Sequence, residues 1–314
     1  MNSSVVLFRK FLMIIPSVLI LSFLSFSVVY FAPGNAGKLL LGAKNQRGFI
    51  SDSNSIQYEK RLGIDKPFGE LYISWLTSLA KGNFGYSYMT RESVFSIFVK
   101  RFSITFKLAI LTMLIYILLG VPIGMTAAVK EHTICRLLLK YWRIICMSVP
   151  PFWVGIILLW SIAHYVPAIP SIGYHGIKSL LIPALLMGSM SFSNLTCIIQ
   201  NKTESLLSKQ FIFSAQALGI PKKIIFTKHI LKNIAAPAIA VSCIDFGSFI
   251  GGAILIENIF SIPGLGLMLT NAINVKDYPV IAGTLFLLGL FVNIFNFIAD
   301  ILYCLIDKRG FAMR

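Results

Sequence analysis

Six runs of about 20 residues, each nearly free of charge, fix the solvent in which this chain can fold. They lie near 11–32, 108–129, 144–166, 179–200, 233–256 and 279–299. A hydrocarbon core of about 30 Å is crossed by about 20 helical residues, so every run is long enough to span it. The 314 residues are 56% hydrophobic and 13% charged, with a mean hydropathy of +0.80, which is more apolar surface than one soluble core can bury. The expected fold class is therefore an all-α polytopic membrane protein with six transmembrane helices, and lipid is its first partner. The first run follows Arg9 and Lys10 as a signal peptide would, but it is too long for one and no clear small-x-small cleavage site follows. It is expected to stay as a helix.

A formal charge of +16 invites nucleic acid as a partner, but the basic residues sit between apolar runs, not on one soluble face with aromatics for stacking. They report orientation instead. Short basic segments occur at Arg9 and Lys10, at Lys130 to Arg143, from Lys202 to Lys232, and at Lys308, Arg309 and Arg314. The short loops on the other side hold only Lys178 and Lys276. Basic short loops stay in the cytoplasm, which puts both termini there. The expected division is 1–32 for the N-terminus and first span, 33–107 for an extracytoplasmic helical insertion, 108–306 for a five-helix core and 307–314 for a cytoplasmic tail. The cysteines, Cys135, Cys146, Cys197, Cys243 and Cys304, all fall outside that insertion and predict no disulfide framework. Within the insertion Phe68, Leu71, Tyr72, Trp75, Leu76 and Leu79 recur at helical spacing after Pro67 and before Gly82, and a second short helix is expected over 52–62. Packing on the outer ends of the spans accounts for these faces. A platform for a solute-delivering partner is the sharper alternative.

The connection at 201–232 is too long for a simple turn between neighbouring spans. Phe211, Ile212, Ala215 and Leu218 share a helical face, Gly219 stands where a left-handed residue would end that helix, and Pro221 opens another. Ile224, Ile225, Ile230 and Leu231 follow among Lys222, Lys223, Lys228, His229 and Lys232. On pattern alone, such a segment lies on a membrane surface.

Charge inside a span costs about 2.5 to 3.5 kcal/mol at a helix centre, so intramembrane charges are paired or functional. Asp245 is at mid-span, Glu257 and Asp300 are nearer helix ends where water is available, and Asn296 lies one turn before Asp300. These four are the candidates for helix pairing or for lining a pathway. Gly120 with Gly124, and Gly247 with Gly251, allow close helix approach, within the chain or against another subunit. Pro122, Pro150, Pro151 and Pro183 predict bends. Pro263, Gly264 and Gly266 predict a tight outer turn; no strand precedes them and the chain has no G-x-x-x-x-G-K-[ST] motif, so no nucleotide loop is expected.

The run Ala215-Gln216-Ala217-Leu218-Gly219, with Pro237 at the mouth of the next span, resembles the coupling loop of ATP-binding-cassette (ABC) importer permeases. Ser214 stands where many members have Glu, as in the peptide subgroup. Leu62 to Pro67, Gly82 to Ser87, Ser148 to Phe152, Ile256 to Gly266, Asp277 to Val280, and Asn296 with Asp300 to Tyr303 are similar in order to the peptide and nickel branch of that family. The resemblance implies a cytoplasmic coupling helix between the fourth and fifth spans, with Ser214, Ala215, Ala217, Gly219 and Pro221 in the ATPase-coupling role. It implies four partners: a second permease subunit, two cytoplasmic ABC ATPase subunits and an extracytoplasmic substrate-binding protein. No cofactor is expected on this chain, ATP being used by the partners. Di- and oligopeptides are the implied cargo, nickel or a metal chelate the alternative, and the bacterial inner membrane the implied location. His164 and His175, without carboxylate or thiol partners, are weak metal ligands. An intramembrane aspartyl protease built on Asp245 and Asp300 is disfavoured, because Ile244 and Ala299 precede them where such proteases carry Tyr-Asp and Gly-x-Gly-Asp.

Overall fold

The computed structural model describes residues 3–31, 66–129, 134–165 and 172–306. The second expected short helix over 52–62 and the tail 307–314 lie outside them. Helices account for nearly all of it: α1 (Ser3–Tyr30), α2 (Phe68–Ala80), α3 (Val94–Val129), α4 (Ile134–Ser148), α5 (Pro151–Tyr165), α6 (Ile177–Leu207), α7 (Gln210–Ala217), α8 (Leu231–Ile259), α9 (Leu265–Asn274) and α10 (Tyr278–Ile306). Among the described residues no strand forms, and Tyr86 with Ser93 makes one isolated bridge. Helices are what lipid demands, since only intra-segment hydrogen bonds satisfy the backbone there.

Among the described residues five helices are long and apolar enough to cross a membrane, and a sixth span exists if α4 and α5 count as one. This is the one place where an apolar run does not become one helix. The segment 144–166 divides at Val149 and Pro150, and the two helices meet at 98°. Adjacent Pro150 and Pro151 supply no N–H to the helical ladder, so it must break there.

The chain forms two compact units. The first is built on Thr105–Ile262 with residues from 295 onward. Within it α3 and α6 meet along a close seam. A Cβ on Gly124 would stand 2.8 Å from the Thr196 carbonyl oxygen, and one on Gly120 2.8 Å from Leu195. The Thr196 hydroxyl donates to the Gly120 carbonyl at 3.3 Å. The Gly120–Gly124 pair is therefore a packing device inside the chain, as small residues are in lipid, where close contact replaces the hydrophobic effect. Gly251 differs: nothing lies within 4 Å of its added Cβ, so among the described residues α8 presents that glycine to no neighbour. The opposite face of α8 buries Ile234, Ala238, Phe246, Phe249, Ile250 and Ala253, with Phe246 against Phe106 and Phe295.

The second unit comprises Arg9–Ile104 and Pro263–Ile294. α2 packs on α1 through rings, Phe23, Phe26 and Tyr30 meeting Phe68, Tyr72 and Trp75 at centroid distances of 5.1 to 5.7 Å. The Tyr72 hydroxyl shares a 2.9 Å hydrogen bond with Ser22. The residues that meet α1 belong to the helical face recognised by spacing, and Ile73 on the other face is exposed. Gly289 in α10 leaves room for Leu21, since a Cβ there would be 2.5 Å from it. Val94, Leu269, Ala272, Val280 and Ile281 form a core cluster of this unit.

Candidate functional site

The segment 207–232 belongs to the first unit and is built from three local devices. α7 ends in a Schellman arrangement: Ile220 N–H donates to the Ala215 carbonyl at 3.1 Å and Gly219 N–H to that of Gln216 at 3.0 Å. Gly219 takes φ 74°, the left-handed conformation this closure requires, and space around it is open. Pro221 then starts the next turn, its carbonyl accepting from Ile224 at 2.9 Å and Ile225 at 3.2 Å. The turn Lys222–Ile224 passes into a π-helical segment, Ile225–Ile230, that runs into α8. A π-segment displaces main-chain donors from their usual acceptors, and here the Asn233 side-chain amide donates to the His229 carbonyl at 2.6 Å.

Side chains divide this segment into two faces. Ile212 and Ala215 are buried, as are Ile225 and Ile230 beyond the turn. Phe211, Phe213 and Leu218 point outward, Phe213 being 75% and Leu218 80% exposed. Of the four residues that share a helical face by spacing, Ile212 and Ala215 thus hold α7 to the chain, Phe211 is partly covered by the His229 ring at 6.3 Å, and Leu218 is left outside. Ser214 is exposed and its hydroxyl turns back to the Gln210 carbonyl at 3.1 Å. Ala217, Gly219 and Pro221 are exposed beside it.

Within the spans, the polar candidates separate. Asp245, at the midpoint of α8, accepts a short hydrogen bond from the Tyr116 hydroxyl of α3 and lies 3.5 Å from the Asn194 amide of α6. Glu257 is placed near a helix end by sequence, where water should reach it, yet it is fully buried and accepts from the Thr105 hydroxyl at 2.6 Å. A charged group costs less with a charge-assisted bond than when desolvated alone. Asn296 is exposed and Asp300 half-buried on α10.

Pro263 and Gly264 lie in the turn between α8 and α9. The left-handed residue is Ser261, φ 51°, whereas Gly264 caps the N-terminus of α9 with φ −91° and Gly266 is buried inside its first turn. Pro263 offers its carbonyl to Arg101 at 3.2 Å.

In the second unit, Asp277 is 3% exposed and accepts from the Ser87 hydroxyl at 2.5 Å and the Tyr88 N–H at 3.0 Å. Ser87 in turn accepts from the N–H groups of Met89 and Thr90. Burial first, then the charges of Asp277 and Tyr278, push the Tyr88 phenol up from 10.0 to about 12. Folding therefore favours the neutral phenol: its contribution is complete below pH 10 and is lost as pH rises towards about 12. Tyrosinate absorbance should show this ionisation in the native chain, and Tyr88→Phe should remove the accompanying loss of stability across that window. An unchanged alkaline loss in the Phe variant would assign it elsewhere.

These features define a class: a helical, multi-pass membrane subunit with a built connector between two of its spans. The chain belongs to the family of binding-protein-dependent transport system inner membrane components, whose model matches residues 120–310; the model of the N-terminal membrane component of such systems matches residues 4–109. It is 27% identical to the dipeptide transport system permease protein of Alkalihalophilus pseudofirmus, over 96% of this chain and 97% of the relative. It is 28% identical to the oligopeptide transport system permease protein of Bacillus subtilis, with the same two coverages. It is 28% identical to the glutathione transport system permease protein of Salmonella typhimurium, over 95% and 96%. The chain is thus a permease subunit of an ABC importer, a non-catalytic component of the inner membrane, and the aspartyl protease alternative falls.

Proposed function

We propose that this chain forms half of the translocation pathway for di- and oligopeptides handed over by an extracytoplasmic binding protein, and that 210–232 is where two cytoplasmic ATPase subunits drive it. Both termini then lie in the cytoplasm. The names of the relatives, which specify dipeptides, oligopeptides and glutathione, favour peptide cargo over nickel or a metal chelate. A second permease subunit would supply the other half, and the uncovered Gly251 on α8 fits a close approach by its helix. In the proposed cycle ATP-bound closure of the ATPases moves α7, and the π-segment, whose ladder is already displaced, passes that movement into α8. Ser214, Ala217, Gly219 and Pro221 lie on or beside the docking surface, and Ala215 anchors it.

The observation that carries the coupling assignment is the pair Phe213 and Leu218, large apolar side chains exposed beside a Schellman-closed helix. Burying each in a partner groove is worth about 1.5 to 3 kcal/mol. Replacing both with serine should therefore weaken ATPase binding by roughly a hundredfold or more. The check is the amount of ATPase subunit retained when the tagged variant is purified from membranes. Full retention together with normal peptide uptake would remove the assignment.

A further inference from the structure

Asp245 is incompletely satisfied where it stands. The Tyr116 hydroxyl and the Asn194 amide both address Oδ2, the second at a long 3.5 Å. Among the described residues no donor reaches Oδ1 and no Lys or Arg pairs with the carboxyl group. The group is half-buried, and the polar surface around it continues outward: Asn194 is exposed, as is Ser248, almost one turn along α8. Many large apolar side chains are exposed along the same spans, as lipid contact requires. Pointing a carboxylate, an amide and a hydroxyl at lipid from the middle of a 29-residue helix would be costly, so this patch must face water or protein.

We propose that Asp245, held by Tyr116 and flanked by Asn194 and Ser248, is a water-facing acidic station in the transport pathway that receives the ammonium group of a peptide in transit. This rests on the peptide-import reading above. Every peptide with a free amino terminus carries one such cation, whatever its side chains, so one acid can serve cargo of varied sequence. Tyr116 fixes the carboxyl rotamer through Oδ2 and leaves Oδ1 to accept from the ammonium. The Asn194 amide carbonyl and the Ser248 hydroxyl are further acceptors at the same level of the pathway. The station binds one end of the cargo weakly enough to release it, as conduction needs.

The test uses the assembled transporter in vesicles, with the native cysteines of this chain replaced by alanine and Asp245 by cysteine. Asp245→Cys should lower ATP-driven uptake of a labelled dipeptide by about tenfold, the equivalent of one charge-assisted hydrogen bond. Asp245→Asn, which keeps the partner for Tyr116, should do the same while purifying with its partners normally. Modifying the cysteine with an anionic methanethiosulfonate sulfonate should restore most of the uptake, and the cationic trimethylammonium reagent of similar size should not. Equal effects of the two reagents would reduce Asp245 to a structural role. A thiol that neither reagent reaches would mean that a second subunit covers the patch, and the proposal would fail. If the cysteine-free parent takes up no peptide while position 245 still labels, the cargo reading falls and takes the ammonium assignment with it.

Discussion

Replacing Gly219 with isoleucine should sharply lower ATP-driven uptake while leaving the chain inserted in the membrane. The residue sits at φ 74° with nothing among the described residues within 4 Å of an added Cβ, so the substitution meets no clash at its branch point. Its whole effect is on the backbone. The left-handed conformation costs an ordinary residue about 1 to 2 kcal/mol, and a β-branched one more. Refusing it opens the two hydrogen bonds that close α7, from Ile220 to Ala215 and from Gly219 to Gln216. α7 is only eight residues long and cannot persist as an independent helix. Phe213 and Leu218 then lose their common presentation, and hydrolysis by the partners no longer moves α8. Uptake should fall by at least about tenfold, with ATP hydrolysis by the purified assembly uncoupled from peptide. Gly219→Asn, which tolerates the left-handed region, should retain much of the uptake. Equal uptake by the isoleucine variant and the wild type would break the link between this closure and transport.

Gly124→Leu should have the largest effect on folding. A Cβ there meets the Thr196 carbonyl oxygen at 2.8 Å and Ile199 Cβ at 2.9 Å, and the first of these is backbone that cannot rotate away. α3 and α6 must separate along the seam where the Thr196 hydroxyl reaches the Gly120 carbonyl. Overpacking of this kind costs about 1 to 3 kcal/mol, and displaced backbone raises it. The expected result is less folded chain in the membrane and a lower melting temperature in detergent. Gly251→Leu supplies the contrast. A Cβ there meets nothing within 4 Å among the described residues, so the subunit should fold normally and lose only its association with a second permease subunit. Identical thermal behaviour of Gly124→Leu and wild type would show that the seam can yield. Full pairing of Gly251→Leu would place the second subunit on another face.

The difference between those glycines marks the limit of what the sequence discloses. Small-x-x-x-small spacing reads the same at 120 and 124 as at 247 and 251, because spacing identifies a face without naming what covers it. Run length disclosed the spans, and helical spacing disclosed the face of α2 that meets the rings of α1. Gly219 was legible because a terminating glycine acts through its own backbone. Tyr116 and Asn194 were not, being 129 and 51 residues from Asp245, and Thr105 is 152 from Glu257. Those partners are set by which helices meet, which no local pattern contains. Glu257 shows the consequence: position near a helix end suggested water, and tertiary packing buried it instead. The Pro150–Pro151 pair predicted a bend but not one of 98°, which depends on where α4 and α5 each pack. The π-segment before α8 carries no glycine or proline to announce it, and Asn233 reveals it only through the carbonyl it satisfies.

The central claim is that this chain carries peptide only as part of an ATP-driven assembly. Peptide accumulation should therefore be followed in vesicles containing either the purified chain alone or the chain co-purified with its partners, with and without ATP. Uptake by the assembly that requires ATP, and none by the chain alone, is the predicted result. Peptide accumulation by the isolated chain, or by the assembly at the same rate without ATP, would contradict the account.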